Sequence, residues 1–241
     1  MSEPILKEKD GDITTIVLNR PEVGNRQTDP TWAQLTEMIN AAAKESRVIL
    51  FKGAGEDFCL GREAMGQPGP VLEAYAVRER SETIFNLYGA FRHAKIPIVG
   101  AVQGRAVGLG CALAALCDIT IASDRARFQF PEMAHHIMPT IAMSALVDRV
   151  PRKAATYLIY STQEIDADKA LVFGLVSAVV PANDLDTTVA GLVDHFKKIP
   201  LPALLAVKEY ARSAFNMSSQ AATDFARNLH ATVNSFSGMR A

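Results

Sequence analysis

The chain has 241 residues, 49% of them hydrophobic, enough for a substantial core in one large domain or two small ones. Its 25 basic and 26 acidic residues nearly cancel, leaving no strong field to gather nucleic acid or an anionic membrane, so neither is expected as a partner, although balance overall still allows a local basic patch. Cys59, Cys111 and Cys117 are odd in number and lack C-x-x-C spacing, which argues against a disulfide framework or a thiolate zinc site; buried free thiols and no metal are expected.

The charged opening MSEPILKEKDGD lacks the apolar core of a secretory signal. The uncharged run Ala106 to Cys117 is far shorter than the ~18 residues that suggest a membrane span. A cytoplasmic protein is therefore expected. Ile13 to Leu18 alternates and is β-branched, which predicts a strand ended by Asn19-Arg20-Pro21. Asp29-Pro30 starts a helix with Trp32, Leu35, Ile39 and Ala42 at helical spacing, and Val48 to Phe51 is a short buried strand. The loop Gly53 to Asp57 leads into FCLGREAM, and Pro68-Gly69-Pro70 separates that segment from a long helix reaching about His93. Its expected inner positions include Val77, Ile84, Tyr88 and Phe91, with Arg78, Glu79, Arg80 and Glu82 outside. Tyr75, Phe85, Tyr88 and Met65 are expected in the helix core or along a ligand tunnel. Ile98 to Val102, Ile119 to Ala122, Ala126 to Phe130 and Val176 to Val180 are further strands. The pattern after Pro200-Leu201-Pro202 is helical almost to the end. The expected division is an α/β core over residues 1–200 and a helical region over 201–241.

The strand at Ile98 runs into a turn with Gly104, Gly108 and Gly110 and then an apolar helix. A helix N-terminus offers unpaired N–H groups and a favourable dipole to negative charge. Dinucleotide phosphate binding would use G-x-G-x-x-G, but GLGCAL has Leu113 in the third place. An oxyanion hole would need a second donor from elsewhere. FCLGRE is a candidate source, because Gly61 lets the chain turn closely and could present the N–H of Arg62; spacing alone does not select this pair.

The segments TTIVLNRPEVGN, VILFKGAGEDFCLGRE, KIPIVGAVQGRAVGLGCALAALCDITIASDRARFQFPEM, YLIYSTQEIDADKALVFGLVSAVVP and ALLAVKEYARSAF together resemble the crotonase superfamily, the enoyl-CoA hydratases and isomerases, from about Ile5 to Phe215. The resemblance implies a crotonase-like α/β fold, a spiral of β-β-α units with a C-terminal helical trimerisation region. It also implies an acyl-CoA thioester as ligand, no separate cofactor, and a homotrimer or dimer of trimers. By position it assigns the oxyanion donors to the backbone N–H groups of Arg62 and Leu109 and a catalytic carboxylate to Glu132. Arg26, Leu60, Gly61, Gly108, Ala112 and Thr140 fall at its substrate-binding positions.

One departure bears on the reaction. The resemblance places a second glutamate of the hydratases at Ala112, which is expected one turn beyond Leu109 and facing the pocket. A paired-carboxylate site divides the handling of water and proton, whereas one carboxylate suffices to lift a proton and return it to another carbon. An isomerase that shifts an enoyl-CoA double bond is the first reading. A hydratase, hydrolase or lyase using Glu132 with water or a histidine, and a non-catalytic acyl-CoA-binding subunit, stay open. Thr140, Ile141 and Met143 stand where relatives often have glycine, so a reshaped pocket is expected. His135 and His136 are expected at structural or rim positions, and Arg62 is expected to use its side chain in a salt bridge. Arg20, Arg26 and Lys208 are possible partners for CoA phosphates.

Overall fold

The computed structural model describes residues 3–63 and 73–239; Met65 and Pro68-Gly69-Pro70 lie outside them. The strands β1 (Ile5–Asp10) and β2 (Ile13–Leu18) form an antiparallel hairpin with Ile5 opposite Leu18. Sequence alternation misses β1 because only Ile5 is buried in it. It is the edge of the sheet, where charged side chains guard unpaired backbone.

Helix α1 (Asp29–Glu45) buries Trp32, Leu35, Ile39 and Ala42 as their spacing requires. It returns the chain to β3 (Val48–Gly53), parallel to β2. Next come α2 (Ala74–His93), β4 (Ile98–Val102), β5 (Arg105–Val107), α3 (Leu109–Leu116), β6 (Ile119–Ser123) and β7 (Arg127–Gln129). After α4 (Thr140–Leu146), α5 (Arg152–Ser161), β8 (Ile165–Asp166) and α6 (Ala167–Val172), β9 (Ala178–Val180) closes the main sheet. That sheet has the order β1-β2-β3-β4-β6-β9, and a second sheet has the order β5-β7-β8.

The two sheets reveal a repeating step. β4 in the large sheet leads to β5 in the small one and then to α3; β6 leads in the same way to β7 and the helical segment after it. Cys59 bridges Ala106 in parallel fashion, so β3, the extended residues around Cys59 and α2 form an earlier copy. Each copy adds one strand to the large sheet and one extended segment to the small one.

Both faces of the large sheet are covered, so its inner strands are mostly apolar, with Thr14 and Thr120 buried among them. One face packs with α1, α2 and α3 around Trp32, Phe51, Phe91 and Leu113. The other packs Ile13, Val48, Val99 and Ile121 against α7 (Leu185–Lys198) and Leu204 of α8 (Leu201–Ala214). The three cysteines are free and buried, and burial lifts the Cys59 thiol to about 12. Helix α9 (Ser219–Asn234), capped by the Ser218 hydroxyl, packs along α8 and buries none of its residues.

Two expectations need correction. Lys208 does not face solvent: it is 6% exposed, and its ammonium lies 2.6 Å from both oxygens of Asp118. A CoA phosphate would have to displace that partner inside the core. In α2, Tyr75, Val77 and Phe85 are exposed whereas Ile84, Tyr88 and Phe91 are buried, because burial begins only at Ile84 and Phe85 lies on the outer face of that half. Arg20 is engaged by Glu63 at 2.6 Å.

Candidate active site

The site is built around two backbone segments that meet at the start of α3. Cys59 N–H donates to Arg105 O and Val107 N–H to Cys59 O, which locks residues 59–61 alongside β5. On the other edge, Gln27 N–H donates to Gly61 O, and Glu63 N–H donates to Gln27 O at 2.9 Å. Alternate N–H groups of an extended segment face opposite edges, so with Glu63 bonded to Gln27, the intervening Arg62 N–H is turned to the side of β5 and α3. Gly61, at φ +92, brings the segments together: a Cβ there would stand 2.9 Å from Val107 O and 3.5 Å from Leu109 N. Leu109 is the first residue of α3, where N–H groups have no partner within the helix. Among the described residues, neither the Arg62 nor the Leu109 N–H has a hydrogen-bond acceptor.

Two side-chain amides hold the approach to this arrangement. Asn25 Nδ2 donates to Ala54 O and Asp57 O, both at 2.8 Å, and Gln103 Nε2 donates to Gly53 O, Gly55 O and Asp57 O. The loop before Gly61 is thus fixed by its carbonyls. The Arg62 side chain points into a paired interaction with Asp29, Nε to Oδ1 at 2.6 Å and a second contact from Nη2. That leaves its backbone as the part directed to the site.

Glu132 opens a single 3-10 turn, Glu132–His135, directly after Pro131. Its Oε1 lies beside Gly108, while Oε2 is buried with no hydrogen-bond partner among the described residues. Burial raises the carboxyl pKa above its ordinary value, against the opposing pull of its own backbone N–H and the nearby His135. Such a carboxylate is a better base than one in water.

A cavity of about 260 Å³ joins these groups. Leu60, Gly61, Arg62, Gly108, Leu109, Glu132 and His135 line it together with Tyr88, Ile84, Val107, Ile137, Met138 and Ile141. A second cavity of about 710 Å³ shares Leu60, Arg62, Val107, Pro131, His135 and Ile137 with the first and adds Arg26, Glu63, Arg80 and Gln129. The site therefore has a small, mostly apolar inner part and a larger outer part that carries more charged and polar side chains. His135 lies in both, and His136 is exposed at φ +57.

Two expected lining residues are elsewhere. Ala112 is fully buried in the core and absent from the cavity wall; α3 is short and enclosed, and every residue after Leu109 is buried. The expected inward face is packed against neighbouring elements. Thr140 is exposed at the start of α4, and Pro139, Ile141 and Ala142 form the wall beside it. Sequence reading gave no place in the site to Asn25 or Gln103. Their signal, a lone amide next to glycine in VGN and VQG, is too common to single them out.

Comparison with known proteins agrees with this architecture. The family model for enoyl-CoA hydratase/isomerase matches residues 8–240. The chain belongs to the enoyl-CoA hydratase/isomerase family. The short-chain-enoyl-CoA hydratase of Clostridium acetobutylicum is 32% identical over 92% of this chain and 84% of its own length. The 2,3-dehydroadipyl-CoA hydratase of Escherichia coli is 29% identical over 92% and 86%. The crystal structure of an enoyl-CoA hydratase from Mycobacterium smegmatis superposes with a TM-score of 0.89 over 96% of this chain and 91% of that one, at 24% identity. A putative enoyl-CoA hydratase from Thermobifida fusca, solved with CoA, is 28% identical, with a TM-score of 0.85 over 95% and 92%. The α/β body with its helical C-terminal region is thus a crotonase-like fold, as the sequence segments imply.

Proposed function

We propose that this member of the enoyl-CoA hydratase/isomerase family is an acyl-CoA enzyme that shifts the double bond of an enoyl-CoA through a thioester enolate. The observation that carries the reading is the convergence of two N–H groups without an acceptor among the described residues, Arg62 and Leu109, with the half-buried Glu132 carboxylate on one small apolar cavity. In this reading the thioester oxygen accepts from both N–H groups. Glu132 takes a proton from one carbon of the acyl chain, the negative charge moves to the thioester oxygen, and Glu132 returns the proton to a carbon two positions along. One fixed donor at such an oxygen is typically worth about 3 to 4 kcal/mol of the barrier. The outer cavity, with Arg26 and Arg80 in its wall, is where the CoA moiety would extend.

A second reading, hydration of the double bond, is favoured by the names of the similar proteins, several of which are hydratases. Against it stands the wall of the inner cavity, in which Glu132 is the one carboxylate among the described residues. The test compares proton exchange of an enoyl-CoA in deuterated water, followed by NMR, with hydration of crotonyl-CoA, followed by loss of enoyl absorbance. Faster exchange than hydration, abolished in Glu132→Gln, supports the isomerase. Efficient hydration would replace it with the second reading. Absence of any turnover across a panel of acyl-CoAs would leave a binding subunit.

A further inference from the structure

The inner cavity holds a polar group that the proposed proton transfer does not use. Tyr88 lies on the C-terminal half of α2, is 3% exposed, and lines the same cavity as Glu132, Gly108 and Leu109. Its hydroxyl is fully buried and has no hydrogen-bond partner among the described residues. A buried hydroxyl without a partner is destabilising, and phenylalanine would fill the same apolar space without that cost. The cavity wall is mostly hydrocarbon, with Ile84, Ile141 and Ala142 in it, and the charges that act on the phenol are those of Glu132 and Arg92.

We infer that the Tyr88 hydroxyl is a specificity-determining hydrogen-bond donor for an uncharged oxygen on the acyl chain, so that the substrate is an acyl-CoA bearing a hydroxyl or keto group and not a plain hydrocarbon chain. The inference rests on the reading of this cavity as the acyl site. Two features narrow the chemistry. The phenol is held in its protonated, donating form, because burial first and the neighbouring Glu132 charge second both push its pKa up. The same Glu132 charge would repel a carboxylate placed at Tyr88, which leaves neutral oxygen as the matching group. A site that places a donor in an apolar pocket discriminates strongly against an analogue that leaves the donor unpaired.

The test uses saturated acyl-CoAs, which have no double bond to shift, in chain-matched pairs with and without a hydroxyl or keto group beyond C3, since a 3-hydroxyacyl-CoA is itself the product of hydration. Calorimetry on the wild-type protein should find one oxygenated member about tenfold or more tighter than its plain partner. Tyr88→Phe should remove that difference by weakening the oxygenated ligand, with the plain ligand bound as well as before or better. Equal affinity of every pair in the wild type would overturn the inference even if Tyr88→Phe failed to fold. A preference that survives in a folded Tyr88→Phe would also overturn it. Binding of plain and oxygenated chains alike leaves the acyl-CoA reading standing, whereas failure of all acyl-CoAs to bind removes both.

Discussion

The Glu132 carboxylate occupies the space into which a side chain on Gly108 would grow: a Cβ there would stand 3.1 Å from Oε1. Gly108 also has φ +54 and ψ −117, a conformation that an L side chain enters only with strain of about 1 to 3 kcal/mol. Gly108, the residue that precedes α3, is therefore constrained twice, by its backbone and by the proposed base. Gly108→Ala should lower kcat by roughly 100-fold or more, since displacing a reacting group by about 1 Å has that effect. Gly191 on α7 has open space around it, so Gly191→Ala serves as the control and should leave kcat unchanged. An active Gly108→Ala would argue that the position of Glu132 is not critical.

The raised pKa of Glu132 has consequences of opposite sign for rate and stability. As a base it must be ionised, so kcat should rise with pH through a midpoint above the ordinary glutamate value, and Glu132→Gln should lose roughly 10²- to 10⁴-fold. For folding, the folded pKa lies above the unfolded one. The contribution of the protonated group is complete below the unfolded pKa and is lost as pH rises through the folded pKa. At neutral pH the ionised group opposes folding. Glu132→Gln should therefore melt at the same or a higher temperature than wild type at pH 7, and the gap should close toward pH 4. A lower melting temperature for the variant at pH 7 would contradict the buried, unpaired state of Oε2.

Arg62 separates side chain from backbone. Its guanidinium is committed to Asp29, while the proposed chemistry uses only its N–H. Arg62→Ala keeps that N–H and should retain kcat to within about tenfold, far above the activity of Glu132→Gln. Loss of activity as severe as that of Glu132→Gln, in a folded Arg62→Ala, would assign a role to the guanidinium that the present reading does not contain.

Much of the large sheet was legible because its strands are buried on both faces and its helices carry a 3.6-residue stripe, as Trp32, Leu35 and Ile39 illustrate. β1 was not, because an edge strand has little apolar periodicity to read. The meeting of Gly61 with Leu109 could not be derived from spacing; it depends on parallel pairing of Cys59 with Ala106, a contact between segments far apart in the chain, and only the family resemblance pointed to it. The placement of Ala112 was misjudged for a related reason. Counting three residues along a helix gives a shared face but not what covers that face, and in α3 neighbouring elements cover nearly all of it. Lys208 shows the same limit for charge: composition expects an ammonium in water, and Asp118 supplies the buried partner that makes the exception possible.

That partnership should be strong. Asp118 accepts from Ile98 N–H at 2.8 Å and from Lys208, with Arg149 3.8 Å away. Lys208→Met leaves the Asp118 carboxylate without its nearest cation in a largely buried setting, and removing one member of such a pair typically destabilises by about 3 to 5 kcal/mol. Adding Asp118→Asn should recover part of the loss by removing the stranded charge. Denaturant unfolding of the two single variants and the double variant would measure the coupling, and additive losses would contradict it.

The C-terminal helices carry the remaining prediction. Val207 is 69% and Phe215 85% exposed, and both line an apolar groove of about 550 Å³ between α8 and α9 with Ala203, Tyr210, Leu229 and Val233. An apolar patch of this kind, with α9 burying none of its own residues, is what a subunit interface looks like before its partner is added. We propose that copies of this chain cover it in a homotrimer or a dimer of trimers. Light scattering should give a trimeric or hexameric mass at micromolar concentration. Val207→Asp combined with Phe215→Asp should shift that mass toward the monomer, because a closed ring places the same patch in every interface and each would then bury unpaired carboxylates. Lys208 and its Asp118 partner are untouched by these changes, so the monomeric variant should keep its α/β fold by circular dichroism. A wild-type protein that stays monomeric across the concentration range would show that the groove has another occupant or none.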